Sequence, residues 1–351
     1  MLFPALIDGL YGSQNYRVFI LSSLITCLTG FILILSVWGK EQQLGLREAF
    51  LLTTLTWVLI AIFSSIPIYI SDSGLSFTDS FFESMSGITT TGATVIQNLE
   101  IQSKGILIWR ALLQWLGGIG IIVMAVAVLP MLQVGGMQLF RLESSDNAEK
   151  ILPRATQLAG SLVLLYVIIT MSCALAYNIG GMGLFDSLAH SLTTISTGGY
   201  STHTDSFAYF SNSNLEYIAV LFMIVGSLPF VLYLQFARGK ASSLFLDSQV
   251  LAFFTILLVS VILCVLYIQN NADISSADSI RKSLFNVTSI LTGTGYVSAD
   301  YMEWGPFIVS LFFILMLIGG CAGSTSCGLK VFRVQILYKQ VIIQTKKIAF
   351  P

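Results

Sequence analysis

Seven long apolar runs alternate with short polar stretches along the chain, at about 17–38, 48–70, 106–132, 157–179, 214–237, 248–269 and 306–334. Each matches the roughly 20 residues that an α-helix needs to cross a bilayer. Three amphipathic stretches, at about 77–88, 183–194 and 277–291, lie between them and are too short to span. From 48 to 334 the same order occurs three times: long apolar helix, short amphipathic helix, a Thr/Gly segment, long apolar helix. Met1 to Gln14 reads as the back half of a helix followed by a turn.

The Thr/Gly segments are Thr89-Thr90-Thr91-Gly92-Ala93-Thr94, Ser196-Thr197-Gly198-Gly199-Tyr200 and Gly293-Thr294-Gly295-Tyr296. Gly198 follows Gly92 by 106 residues, and Gly295 follows Gly198 by 97. Asp79, Asp186 and Asp278 stand at or near the starts of the short helices, where the helix dipole favours an anion. The opposite ends then point their partial negative charge into the membrane, a polarity that favours a cation. Irregular backbone at membrane depth is tolerated only where protein surrounds it or where it lines a watery cavity. Gly92, Gly198 and Gly295 are expected to supply the unusual dihedral angles of the turn. A single Thr-Gly pair is ordinary loop chemistry; three at matching places point to a ring of backbone oxygens replacing a cation's hydration shell.

Composition places all of this in a bilayer. The chain of 351 residues is 55% hydrophobic and 10% charged, with a mean hydropathy of +0.83. Soluble domains carry about 25% charged residues. The first run lacks the cationic flank and small-residue cleavage site of a secretory signal and reads as a resident helix.

The net charge of −1 conceals a sidedness. Segments around 40–48, 133–157, 238–247 and 330–347 hold Lys40, Arg47, Arg141, Lys150, Arg154, Arg238, Lys240, Lys330, Arg333, Lys339, Lys346 and Lys347, 12 of the 17 basic residues. The positive-inside rule makes that side cytoplasmic. The other side carries Asp72, Asp79, Glu83, Glu100, Asp186, Asp205, Glu216, Asp273, Asp278, Asp300 and Glu303. These acids either concentrate cations at an outer mouth or simply solvate its loops.

Enzyme chemistry finds little support. Five cysteines form no CxxC pair, and two histidines cannot build a His-based metal site. No phosphate-binding lysine loop, Ser-His-Asp set or catalytic carboxylate pair is visible. His190 reads as a polar contact of the second short helix and His203 as an outer-mouth residue. Arg110 is a costly charge within an apolar run, with Glu83 or Glu100 as its partner.

The last apolar run is interrupted by Gly319-Gly320-Cys321-Ala322-Gly323-Ser324-Thr325-Ser326-Cys327-Gly328. Each glycine costs a helix interior about 1 kcal/mol relative to alanine. The run is either a small-residue packing stripe or a loop that breaks the helix under the Thr/Gly segments and gates them. Lys330 follows: it repels ions near the inner cavity, tethers the loop, or snorkels to the cytoplasmic boundary.

The segment Phe81-Phe82-Glu83-Ser84-Met85-Ser86-Gly87-Ile88 running into Thr89–Thr94 resembles the first pore helix and filter of the Trk/Ktr/HKT potassium transporter superfamily. Gln114-Trp115-Leu116-Gly117-Gly118-Ile119-Gly120, Gly135-Gly136-Met137-Gln138-Leu139-Phe140-Arg141, Ser196–His203, Thr292–Tyr296 and Gly319–Thr325 are similar to it as well, most closely to the TrkH-type membrane subunits of bacterial Trk systems. The GGMQLFR segment and the long cytoplasmic connection after the first unit favour Trk over a sodium-dependent Ktr-type subunit or the related channel-like subunit of a potassium-pumping ATPase.

The resemblance implies an all-α polytopic membrane protein of the bacterial inner membrane, with helix–pore helix–filter loop–helix units around a central pore. It implies potassium as the transported ligand with no covalent cofactor, ion-coupled symport, a homodimer, and a cytoplasmic nucleotide-binding regulatory subunit; nothing points to nucleic acid. It assigns ion-coordinating carbonyls to Thr90 and Thr91, Ser196 and Thr197, and Gly293 and Thr294. Gly92, Gly198 and Gly295 shape the filter, and Gly319, Gly320, Gly323, Ser324, Thr325, Gly328 and Lys330 belong to the gate. With one glycine shared per unit, sodium and rubidium are expected to be harder to exclude than in a tetrameric potassium channel.

The expected organisation is a preliminary helix region at 1–47, then pore repeats at 48–156, 157–247 and 248–351, the first with a cytoplasmic connection and the third with the gate loop and a basic cytoplasmic end. The family has four units and this sequence holds three. The expectation is therefore a truncated copy that does not conduct selectively unless another chain supplies the missing unit, with a non-conducting assembly or regulatory-subunit-binding protein as the alternative.

Overall fold

The computed structural model describes residues 1–39, 46–123, 151–239, 242–271 and 275–349. The run expected beyond residue 123, the Gly135–Arg141 segment and Lys40, Lys150, Lys240 and Asp273 lie outside them.

Fourteen α-helices occur among the described residues: α1 (Leu2–Leu10), α2 (Tyr16–Val37), α3 (Leu46–Ile70), α4 (Phe77–Ile88), α5 (Lys104–Val123), α6 (Ile151–Ile179), α7 (Leu184–Ile195), α8 (Ser213–Ser227), α9 (Phe230–Ala237), α10 (Ser242–Leu246), α11 (Ser248–Asn271), α12 (Ser276–Thr292), α13 (Pro306–Leu317) and α14 (Val331–Ala349). Five are long and apolar enough to cross a membrane: α2, α3, α5, α6 and α11. A bent sixth, α8 with α9, qualifies when taken as one span. Leu24, Leu28, Phe31 and Ile32 on α2 are exposed, as are Leu258, Ile262 and Leu266 on α11. Apolar faces of this kind suit a lipid surround rather than water.

Two of the three short helices begin at side-chain caps, while α7 starts at Gly183 without one. Ser76 accepts from the Asp79 N–H at 3.2 Å and donates to the Asp79 carboxylate at 2.7 Å, which starts α4. Ser275 and Asp278 do the same for α12, at 3.2 and 2.8 Å. Such caps satisfy N–H groups that the first turn leaves free. Each short helix packs on the long helix before it: α4 on α3, α7 on α6 and α12 on α11. The helix after it packs on the next unit's short helix, α5 on α7 and α8 on α12. That alternation links the units into an arc.

Apolar clusters line the arc and cross the unit bounds, the second taking in Ile122 of the first unit and Phe285 and Tyr296 of the third. Phe19, Trp109 and Leu113 belong to the first cluster, Tyr166, Tyr177 and Phe230 to the second, and Phe253, Phe312 and Trp304 to the third.

Two of the long apolar runs are broken, one read as continuous and one expected to be interrupted by its glycines. The run at 214–237 bends by 93° between α8 and α9. Pro229 supplies no N–H and holds Leu228 in extended backbone, so the helix cannot continue. The run at 306–334 stops at Leu317 and resumes at Val331. Between them the loop 318–330 is pinched at its neck, where Gly319 donates to the Leu329 carbonyl at 2.9 Å and Val331 to the Gly320 carbonyl at 3.1 Å.

Candidate functional site

Each short helix ends in a turn with the same backbone signature. Thr90 (φ 57°) and Gly92 (φ 81°) are left-handed in the first unit, Thr197 (φ 50°) and Gly199 (φ 75°) in the second, and Gly293 (φ 73°) and Gly295 (φ 82°) in the third. Hydrogen bonds repeat with the same offsets: the N–H groups of Thr90, Thr197 and Gly293 donate to the carbonyls of Gly87, Thr194 and Ile290. The second segment therefore sits one residue further along than its sequence suggests. Gly199, and not Gly198, is the counterpart of Gly92 and Gly295. Ser196 is the C-cap of α7, its hydroxyl donating to the Leu192 carbonyl at 2.9 Å.

The segments lean on one another. A Cβ on Gly92 would run into the Gly198 carbonyl, and one on Gly199 into the Thr294 carbonyl. Thus the middle carbonyl of one segment fills the space above the left-handed glycine of the segment before it.

Three different side chains perform one task behind the turns. Glu83, His190 and Asn286 are fully buried at equivalent places in α4, α7 and α12. Glu83 accepts from the Thr94 hydroxyl and the Val95 N–H, both at 3.0 Å. His190 Nε2 lies 3.0 Å from the Ser201 hydroxyl, and Asn286 Nδ2 donates to Ser298 Oγ at 3.0 Å. Each pins the chain leaving its own turn. Tyr200 and Tyr296 then reach backward: the Tyr200 hydroxyl donates to the Glu83 carbonyl at 3.0 Å, and the Tyr296 hydroxyl to the His190 carbonyl at 3.2 Å.

Arg110 takes Glu83 as its partner. Its Nε donates to Glu83 Oε1 at 2.7 Å, with both side chains almost wholly buried. The guanidinium also donates to Thr94 Oγ1 at 3.0 Å and to the Ser201 carbonyl at 3.3 Å, and lies 4.0 Å over the Tyr200 ring. One cation thereby ties the first turn's exit to the second's.

Glu83 is thus an internal support and no part of an outer-mouth field. Other outer acids are engaged too. Glu216 and Asp278 share Arg281, each at 2.7 Å. Asp186 accepts from Thr202 at 2.7 Å and faces His203 at 3.5 Å. Glu100 accepts from the Thr204 N–H and hydroxyl, both at 2.8 Å, and these bonds hold its carboxyl below the usual range. His203 stacks on Tyr209 with ring centroids 3.6 Å apart.

The loop 318–330 is bonded directly to the turns. Thr325 Oγ1 donates to the carbonyls of Ile195 and Gly226, both at 2.9 Å, and Ser326 Oγ to the Thr292 carbonyl at 2.6 Å. Ile195 and Thr292 are the last residues of α7 and α12. Cys321 N donates to the Ser227 carbonyl at 2.9 Å, and Phe230 N to the Gly323 carbonyl at 3.0 Å, so the break between α8 and α9 is where the loop docks. Gly323 and Gly328 are left-handed, and Ser324 is buried with its hydroxyl on the Cys321 carbonyl at 2.7 Å. The Lys330 ammonium donates to the Ser326 carbonyl, the tether among the three alternatives. Cys327 is exposed, with its sulfur 3.9 Å from the Gly293 carbonyl.

The family profile of TrkH, described as a cation transport protein, matches residues 16–349. The Trk system potassium uptake protein TrkI of Halomonas elongata is 41% identical over 337 residues, which cover 96% of this chain and 68% of that protein. The Trk system potassium uptake protein TrkH of Escherichia coli K12 is 36% identical over 358 residues, covering 100% and 74%. The crystal structure of the potassium transporter TrkH from Vibrio parahaemolyticus superposes with a TM-score of 0.91 at 35% identity, over 100% of this chain and 73% of that one.

Proposed function

Because this chain belongs to the TrkH family of cation transport proteins, a transporter family and not an enzyme family, we propose that it carries potassium inward across the bacterial inner membrane through a filter of which its Thr/Gly turns form three segments. The filter backbone runs through Thr90, Thr91 and Gly92, through Thr197, Gly198 and Gly199, and through Gly293, Thr294 and Gly295. The observation that carries the reading is the left-handed turn repeated at the end of three half-length helices, each with a buried polar pin behind it. Such turns present carbonyl oxygens in place of water, while the helix ends lower the energy of a cation beneath them.

Rubidium uptake into bacteria lacking their own potassium uptake tests it. Uptake that rises with this protein and is competed by potassium more strongly than by sodium is the expected result. No rise, with the protein present in the membrane, overturns the reading.

The loop 318–330 is the gate in this reading. Thr325 and Ser326 hold it closed by hydrogen bonds to the carbonyls that end α7 and α12, and Lys330 secures the Ser326 carbonyl from below. Opening breaks those bonds, each contributing about 0.5–1.5 kcal/mol. Thr325→Val with Ser326→Ala is therefore expected to raise the rubidium uptake rate about tenfold, since about 1.4 kcal/mol is a factor of ten. An unchanged initial rate counts against the latch. The cytoplasmic regulatory subunit and the homodimer also belong to this proposal. Arg333, Lys339, Lys346 and Lys347, exposed on α14, offer positive charge to an acidic partner on the inner side.

A further inference from the structure

Gln114 lies one helical turn after Arg110 on α5 and is fully buried. Its amide nitrogen donates to the Gly198 carbonyl at 2.7 Å, and its amide oxygen accepts from the Tyr200 N–H at 3.1 Å. One planar group thus bridges Gly199, the left-handed residue of the second turn. Both halves of the amide are used, leaving it little freedom to rotate.

The residue it grips is the exception among the three segments. Where the second segment has Gly198, the first has Thr91 and the third Thr294. A Cβ on Gly198 would run into the Gln114 amide. Gln114 therefore occupies the space that a threonine side chain would need. The missing side chain and the glutamine are complementary.

The next seam is built otherwise. Gly117 on α5 approaches the Ile88 carbonyl and Thr90 Cγ2, and Gly226 on α8 approaches the Ile195 carbonyl and Thr197 Cγ2. These contacts put α5 and α8 in register, so Met223 stands where Gln114 does. Met223 is buried in an apolar cluster and has no hydrogen to donate to a carbonyl. Of these two seams, the one between the first and second segments has a donor at this position and the other has none.

Selectivity depends on the number of filter carbonyls and on how far they can follow a smaller ion inward. A filter segment pinned by a buried amide cannot contract around sodium as a free one can. We propose that Gln114, paired with Gly198, is a positioning residue that sets the preference for potassium over sodium by fixing the second filter segment. The proposal rests on the potassium filter described above.

The test uses the whole protein in bacteria lacking their own potassium uptake, with the ratio of rubidium to sodium uptake as the readout. Gln114→Met gives this seam the residue of the next one, and Gln114→Glu keeps the shape while turning an acceptor toward the Gly198 carbonyl. Both are expected to lower the ratio about tenfold, the size expected from one well-placed buried hydrogen bond. Gln114→Met with Gly198→Thr, which gives this seam both residues of the next one, is expected to recover part of the ratio. Single variants present in the membrane at the parent level with an unchanged ratio overturn the proposal. Should neither accumulate, Gln114→Asn retains the amide but cannot reach both partners, and an unchanged ratio there overturns it equally. A parent protein without potassium-selective uptake defeats the filter reading instead, and is distinguished by needing no variant.

Discussion

Gly199→Ala is expected to reduce potassium-selective uptake about a hundredfold, whereas Gly12→Ala leaves it near the parent level. Both glycines are left-handed, with φ of 75° and 73°. An L-residue there costs roughly 1–2 kcal/mol. The difference lies in what the new methyl group meets. At Gly12 nothing stands within 4 Å, while at Gly199 the Thr294 carbonyl occupies the position itself. Because that oxygen belongs to the neighbouring segment's backbone, relief requires the second and third turns to separate. Overpacking of a tight interior costs about 1–3 kcal/mol, which with the dihedral term approaches the ~2.8 kcal/mol of a hundredfold effect. Rubidium uptake and its competition by potassium, normalised to protein in the membrane, measure it. Equal behaviour of the two variants would show that the carbonyl contact between segments carries no weight.

That contrast follows from a register which the sequence leaves ambiguous. Two adjacent glycines at 198 and 199 invite alignment of the first with Gly92, and the sign of φ and the hydrogen-bond offsets show that the second is the counterpart, for which the Gly-Tyr pair shared by 199–200 and 295–296 was the available signal. Other features were legible because their cause is local. The bounds 77–88 expected for the first short helix are those of α4, since Ser76 and Asp79 form a cap readable from two letters. The glycine-rich interruption at 319–328 was legible for the same reason, as its composition cannot sustain a helix. The break at Leu228–Pro229 was overlooked because the apolar run continues across it, although Pro229 was the available signal. Pairings between units lay beyond the sequence. Nothing in the spacing of Thr325 and Ile195 foretells their bond, which spans 130 positions.

The supports behind the turns also show why an internal repeat need not preserve its side chains. Glu83, His190 and Asn286 differ in charge and shape, yet each has an acceptor or donor directed at the chain leaving its own turn. Only Glu83 brings a full negative charge, and only its unit brings Arg110 to meet it. Each buried charge needs its neutralising partner, because an unpaired one in a low-dielectric interior is costly. Glu100 stood as the alternative partner for Arg110, but it is spent on Thr204.

Removal of Arg110 is accordingly expected to be among the most damaging single changes in this chain. Arg110→Leu leaves Glu83 buried with the Thr94 and Val95 donors but without a counter-charge, at a cost of about 3–5 kcal/mol. The Ser201 carbonyl and the Tyr200 ring lose their contact in the same step, so the exit of the second turn loosens as well. Arg110→Leu with Glu83→Gln removes both charges. The glutamine oxygen still accepts from Val95, and replacing a buried pair by neutral groups is often close to neutral in stability. The double variant is therefore expected to recover more than half of the loss in thermal unfolding measured in detergent. Equal unfolding of the single and double variants would mean that packing of the arginine, and not the stranded carboxylate, carries the effect. Lys at 110 is expected to fall between the two, because an ammonium neutralises Glu83 yet cannot bond Thr94 and Ser201 together while lying flat over Tyr200.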